Sequence, residues 1–319
     1  MRVRIAFVTW LALAGCTDRA HPGGDDDNPM HDAAVADAPS DAPPDAPPDA
    51  PPPAADVVFV GAGDIAGGGP GAQITANLIK QVDGTVFTLG DNAYDSGSSN
   101  EFQTRFDPTW GAFKARIKFP TPGNHDYNTA NASGYFGYFG ATAGPPTKGY
   151  YSADLGAWHI VVINSNCSAI GGCGAGSPQE QWLRADLAAH PNACTLAMWH
   201  HPLFNIGEHG PATEMRPIVQ ALYDLGADLV LTGHDHDYQR WAPLKPDGTP
   251  DPAKGIRSFV VGSGGIGFYN FPSQNANVEA KDNQTYGVLK LTLRATSYSW
   301  EFIHQPGATF TDTGTGNCH

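Results

Sequence analysis

Two histidines separated by one residue, His234 and His236, end the apolar run in VLTGHDHDYQR. Imidazoles and carboxylates collected at the ends of apolar strands are well placed to hold metal ions. Other segments repeat the arrangement. Asp64 follows VVFVGAG, Asp91 follows TVFTLG with Tyr94 three residues on, and His200 follows CTLAMW. The loop TPGNHDY adds Asn124, His125 and Asp126. Together these donors suit a two-metal centre. One carboxylate can span two ions roughly 3.5–4 Å apart, and neutral imidazoles suit Fe, Zn and Mn. His234 and His236 are i and i+2, so in extended chain both would face one side, one toward each ion. Taken singly, Asp64 or Asp91 is also an ordinary turn residue after a strand. It is the recurrence at so many element ends that argues for chemistry.

The elements that must position these groups alternate along the chain. Strands are predicted at VVFVGAGD, TVFTLGD, CTLAMWHHP, DLVLTGHDH and RSFVVGSGG, and at YGVLKLTL and SYSWEFIH, which alternate as sheet does. Helices are predicted at GAQITANLIKQV, at SPQEQWLRADLAAHP with Ser177 as cap and Pro191 as stop, and at MRPIVQALYDLGA with Gly226 as stop. Continuous apolar strands separated by helices imply sheets covered on both faces. The reading is one α/β domain of about 260 residues.

The bulk numbers narrow the function. The chain has 319 residues, 41% hydrophobic, with a formal charge of −14. Residues 1–55 hold nine Asp and three Arg, or 3 − 9 = −6, which leaves −14 + 6 = −8 for the rest. No basic stripe is present to grip nucleic-acid phosphates, so no nucleic-acid partner is expected. A small phosphorylated substrate fits, because metal ions can supply the positive charge.

The first 16 residues read as a signal peptide. Arg2 and Arg4 precede a short apolar stretch that ends LAGC, too short to span a membrane. LAGC resembles a bacterial lipobox. That resemblance implies a lipid on Cys16, and Thr17 after it points to the outer membrane. Residues 17–55, with the repeated DAPPDAPP, read as a disordered, solvated tether. Residues 56–319 form the working domain. Contact with the membrane would be only through the lipid. Four further cysteines in an exported domain suggest two disulfides. Cys167 and Cys173 bracket a flexible loop and are the favoured pair, leaving Cys194 with Cys318. Their spacing matches no common zinc pattern. Nothing in the sequence indicates an oligomeric state.

GDIA, GDNAY, GNHD, WHHP and GHDH occur in the order found in calcineurin-like metallophosphoesterases, which this sequence resembles over nearly all of residues 56–305. Tyr94 in GDNAY makes it most similar to the purple acid phosphatase branch. The resemblance implies an α/β fold: a β-sandwich of two mixed sheets flanked by helices, in four α/β/β/α layers. It implies Asp64, Tyr94 and His236 on a first metal, Asn124, His200 and His234 on a second, and Asp91 bridging both. Phosphate monoesters would then be hydrolysed by a hydroxide generated at the paired ions, making the chain an acid phosphatase-like phosphoric monoester hydrolase. His125 would contact substrate and protonate the leaving alkoxide, with Asp126 orienting it. His209, nine residues after His200, would be a second substrate-contacting histidine, and His201 is a weaker candidate. An unperturbed tyrosine titrates near 10, so a phenolate ligand favours Fe(III) at the first site. The second site is left open to Fe, Zn or Mn. A phosphodiesterase or nuclease on the same scaffold, and a surface protein that binds metal without catalysis, are the alternatives.

Two similarities mislead. GAGDIA fits a dinucleotide fingerprint, but Asp64 would place negative charge against a pyrophosphate. GSGGIG lacks the Lys-Ser/Thr of a phosphate-binding loop and reads as a tight connection. One departure stands out as well: the family's first motif commonly has Gly where this chain has Ala66, which is tolerable if φ there is negative.

Overall fold

In the computed structural model, which describes residues 55–191 and 194–319, the central strands bury both faces. In β5 (Trp158–Val162), Ile160 and Val162 join one apolar cluster, whereas Val161 and the following Ile163 join another. β6 (Cys194–Met198) repeats this with Leu196 and Met198 against Ala197 and Trp199. Side chains alternate across a strand, so an unbroken apolar run requires a covering layer on each side.

These strands belong to a seven-stranded sheet. Its order is β10 (Val278–Asp282), β8 (Tyr238–Trp241), β9 (Arg257–Val261), β7 (Leu229–Thr232), β6, β5 and β4 (Tyr151–Leu155). It is parallel from β5 to β9 and antiparallel at its margins. A six-stranded sheet faces it, ordered β13 (Thr313–Asn317), β12 (Ser297–His304), β11 (Gly287–Leu293), β1 (Val57–Ala62), β2 (Thr85–Thr88) and β3 (Ile117–Phe119). Tyr298, Trp300 and Phe302 of β12, spaced by two, meet Trp158, Phe259 and Tyr238 of the other sheet at ring-centroid distances of 5.8, 5.8 and 4.5 Å. The helices Pro178–Ala189 and Arg216–Asp224 cover the outer face of the seven-stranded sheet through Leu183, Leu187, Ile218 and Leu222. The helix Gly71–Ile79 packs on the other sheet. The result is the expected two mixed sheets with flanking helices.

Local signals explain the helix ends. The Ser177 side chain accepts from the backbone N–H of Glu180 and Pro178 opens the helix, satisfying a donor that the helix itself cannot. Both expected disulfides are present, Cys167–Cys173 and Cys194–Cys318. The second closes a separation of 124 residues, a length for which restriction of the unfolded chain is worth about 5 kcal/mol. Tyr135 and Phe139 are buried in the core.

The signal-peptide and tether assignments fall outside the described residues. Among the described residues, no helix is long and apolar enough to cross a membrane.

Candidate metal centre

The carboxyl ends of β1, β2, β6 and β7 open toward one point, and the loops that follow supply the polar groups. Asp64 lies two residues beyond β1, Asp91 three beyond β2, His200 two beyond β6, and His234 two beyond β7. Asp64, Asp91 and His234 adopt φ of 61°, 50° and 75°. Non-glycine residues pay for that left-handed conformation, and an observed cluster of such residues points to function.

Asp91 is central. Its Oδ2 is 3.0 Å from the Tyr94 hydroxyl and 3.3 Å from His200 Nε2. On one side, Tyr94 OH also lies 2.9 Å from Asp64 Oδ1 and 3.3 Å from His236 Nε2. On the other, His200 Nε2 is 3.0 Å from Asn124 Oδ1, and the His200 and His234 ring centroids are 5.0 Å apart. The structure thus brings together all seven residues named as ligands, in two groups that share Asp91. The reason given for His234 and His236 needs correction. They do not sit on extended chain, since residues 234–237 are a bend and His234 has positive φ. The turn, rather than strand alternation, sends the two rings to opposite groups.

The donors suit cations. Asp64 and Asp91 are buried, and among the described residues neither has a Lys or Arg as a hydrogen-bond or ion-pair partner. Burial pushes the Asp64 carboxyl up to about 8, with His200 opposing and Asp91 adding to the rise. Burial lowers His200, but Asp91 beside it prevails and takes it up to about 9. Buried charge of this kind demands a counter-ion. A cation would displace both protons, so loading releases protons and weakens as pH falls. Burial holds His236 down to about 4 and His234 well below the usual imidazole range, so both rings are neutral at pH 7, as ligands must be.

Hydrogen bonds aim the rings. His200 Nδ1 donates to the carbonyl of Leu89 and His236 Nδ1 to that of Gly267, each at 2.7 Å. Each Nε2 is thereby aimed at the centre, where it is the ligand atom, that of His200 once a cation has displaced its proton. Gly123 shows how closely the loops pack: a Cβ there would lie 2.1 Å from Asp91 Oδ1, so GNHD needs its glycine for space.

The three candidate catalytic residues fare differently. His125 is at the edge of the centre. Its N–H donates to Asp91 Oδ1 at 2.8 Å, its Nε2 is 4.0 Å from Asp91 Oδ2, and its Nδ1 donates to the Asp95 carbonyl at 2.7 Å. His209 stands beside His234 with ring centroids 4.3 Å apart, and its Nδ1 is 3.1 Å from Asp235 Oδ1. Asp126 does not orient His125. Its Oδ2 accepts from Gly123 N, Asn92 N and Asn92 Nδ2 at 2.9, 3.3 and 2.9 Å. The carboxylate therefore ties the GDNAY loop to the GNHD loop, holding Asp91 and Asn124 in register. Burial, reinforced by Asp91, raises it to about 7.

Several supports escaped sequence reasoning. Asn92 also donates to the Thr121 carbonyl. GSGGIG is more than a connection, since its Gly267 carbonyl holds His236. Tyr269, just beyond, stacks on His236 at 4.0 Å and 14°. Asp235 serves His209 rather than the histidines that flank it in sequence. The signal for these lay in the polar and glycine-rich composition of the loops, which does not say which partner each group takes. Ala66 is not among the residues with positive φ, which explains why a methyl is tolerated there.

Comparisons with known proteins agree with this geometry. A family model described as calcineurin-like phosphoesterase matches residues 46–238. Purple acid phosphatase 15 of Arabidopsis thaliana is 26% identical over 157 residues, which is 44% of this chain and 29% of the plant protein. The chain thus spans less than a third of that relative's length. Tartrate-resistant acid phosphatase type 5 of Rattus norvegicus is 27% identical over 229 residues, covering 59% of this chain and 68% of the rat protein. Purple acid phosphatase PPD1 from yellow lupin superposes with a TM-score of 0.66 at 18% identity, over 82% of this chain and 54% of that structure, a likeness of fold. With a family match over more than half its length, the chain belongs to the calcineurin-like phosphoesterase family.

Proposed function

We propose that this protein hydrolyses phosphate monoesters at a dinuclear metal centre. The observation that carries this reading is the position of Asp91, one carboxylate oxygen of which is within 3.3 Å of donor atoms from both ligand groups. Asp64, Tyr94 and His236 would hold one ion, Asn124, His200 and His234 the other, and Asp91 both. When bound, the ions supply Lewis acidity toward phosphoryl oxygens and acidify water.

The remaining chemistry belongs to side chains. His125 Nδ1 is committed to the Asp95 carbonyl, so its Nε2 is the nitrogen available to deliver a proton to the leaving oxygen. His209, held at Nδ1 by Asp235, presents its other nitrogen to substrate. The domain is acidic and its sequence has no basic stripe to grip a second ester chain. The test is the relative rate on p-nitrophenyl phosphate and on its bis ester. The monoester should be the faster substrate, and a faster bis ester would reverse the assignment to the phosphodiesterase class.

We place Fe(III) beside Tyr94. Burial and the neighbouring Asp64 and Asp91 charges hold the phenol proton on, and a strong Lewis acid is what removes it. Metal-loaded protein should show a violet charge-transfer band that Tyr94→Phe abolishes. A colourless wild type that is fully active would exclude ferric iron and leave the phosphoesterase reading intact.

We also retain export and lipid anchoring as part of the proposal. Two disulfides suit an oxidising compartment. Cys16→Ser, expressed in a Gram-negative host, should move the protein from the membrane fraction to the soluble envelope fraction. An unchanged distribution would remove the lipid from the account.

A further inference from the structure

The ligands His200 and His236 each donate from Nδ1 to a backbone carbonyl, which reserves Nε2 for a cation. His201, their neighbour, has the opposite pattern. Its Nδ1 is 2.7 Å from Ser165 Oγ, and its own backbone N–H donates to that same oxygen at 3.1 Å. A hydroxyl has a single proton to give. Among the described residues, His201 Nδ1 is the acceptor within its reach. Ser165 therefore donates to Nδ1, and the hydrogen-bond network assigns the ring proton to Nε2.

Among the described residues that nitrogen has no hydrogen-bond partner, and its ring is wedged among the second group of ligands. The His201 ring centroid is 4.9 Å from that of His200 and 4.4 Å from that of His234. One nitrogen from each of the three rings falls within 4.8 Å of the others. A protonated nitrogen cannot coordinate a cation. It can donate to an anionic oxygen, and such charge-assisted bonds are the stronger kind.

We propose that His201 is a catalytic residue of this centre, donating from Nε2–H to a non-bridging phosphoryl oxygen of the substrate, with Ser165 as the positioning residue that sets its tautomer. The inference rests on the phosphoesterase reading and adds to it a donor outside the ligand set. No proton leaves His201. Water attacks phosphorus and gives up a proton to solvent, the ester P–O bond breaks, and the leaving oxygen takes a proton from His125 Nε2, while Nε2–H of His201 stabilises the charge that accumulates on phosphoryl oxygen. One preorganised donor of this kind is worth about 10²–10³-fold in kcat.

The test compares wild type, His201→Ala, His201→Gln and Ser165→Ala as full chains loaded with metal. It measures metal content by mass spectrometry, inorganic phosphate binding by calorimetry, and kcat on p-nitrophenyl phosphate. His201→Ala should keep its full metal complement, bind phosphate about 10-fold or more weakly, and lose about 10²-fold in kcat. His201→Gln, which retains an N–H donor, should recover much of both losses, and Ser165→Ala should fall between it and alanine. Loss of one metal equivalent in His201→Ala would make the residue a ligand and overturn the proposal, as would phosphate binding equal to wild type. Wild type that takes up two metals but neither binds phosphate nor hydrolyses the ester would overturn the phosphoesterase reading itself, and the role of His201 with it.

Discussion

Asp91→Asn is expected to lower kcat/KM by about 10³-fold or more, equivalent to about 4 kcal/mol of transition-state stabilisation, and to reduce bound metal below two equivalents. The amide is nearly isosteric and can still accept the backbone N–H of His125, which Asp91 Oδ1 accepts at 2.8 Å. Folding should survive. What disappears is the negative charge shared between the Tyr94 and His200 sides. A neutral amide oxygen cannot hold two cations against their mutual repulsion, and its NH₂ would oppose one of them. The measurement is metal content with kcat/KM on the same sample. Two retained equivalents and activity within tenfold of wild type would remove Asp91 from the bridging role.

His125→Ala is expected to lower kcat by about 10²–10³-fold with metal content unchanged. Its ring stands 4.4 Å from that of Tyr94, and it is tied through Nδ1 to the Asp95 carbonyl. The size of the loss should depend on the leaving group. An alkyl phosphate expels a basic oxygen that needs a proton, whereas p-nitrophenolate leaves readily without one. The defect should therefore be much larger on the alkyl ester. Equal losses on both esters would show that His125 binds substrate and does not act as the acid.

The strands that carry ligands were legible because each is an apolar run ending in a chemically distinctive residue. β1, β2, β6 and β7 all fall within predicted strands, and the Ser177 cap and Pro191 stop frame the helix Pro178–Ala189. β13 was not legible, because TGTGN reads as coil. Its glycines serve the neighbouring strand: a Cβ at Gly314 would lie 2.2 Å from the Trp300 ring and one at Gly316 would lie 2.3 Å from the Tyr298 ring. Space for a neighbour's side chain leaves no trace in the local pattern. The seven ligand types were readable for the same reason as the strands, but the orientation of Asp126 was not. Adjacency to His125 suggested a pair, while three donors on Asn92 and Gly123 outcompete it. Tautomers lie further still from sequence. His200 and His201 are adjacent and identical in type, and only the carbonyl of Leu89 against the hydroxyl of Ser165 separates lone pair from proton.

Anomalous diffraction from crystals of the metal-loaded protein tests the whole account at its root. The expected map has two peaks roughly 3.5–4 Å apart, one against Asp64, Tyr94 and His236, one against Asn124, His200 and His234, with the Asp91 carboxylate between them. A single peak, or two peaks with Asp91 touching neither, would contradict it.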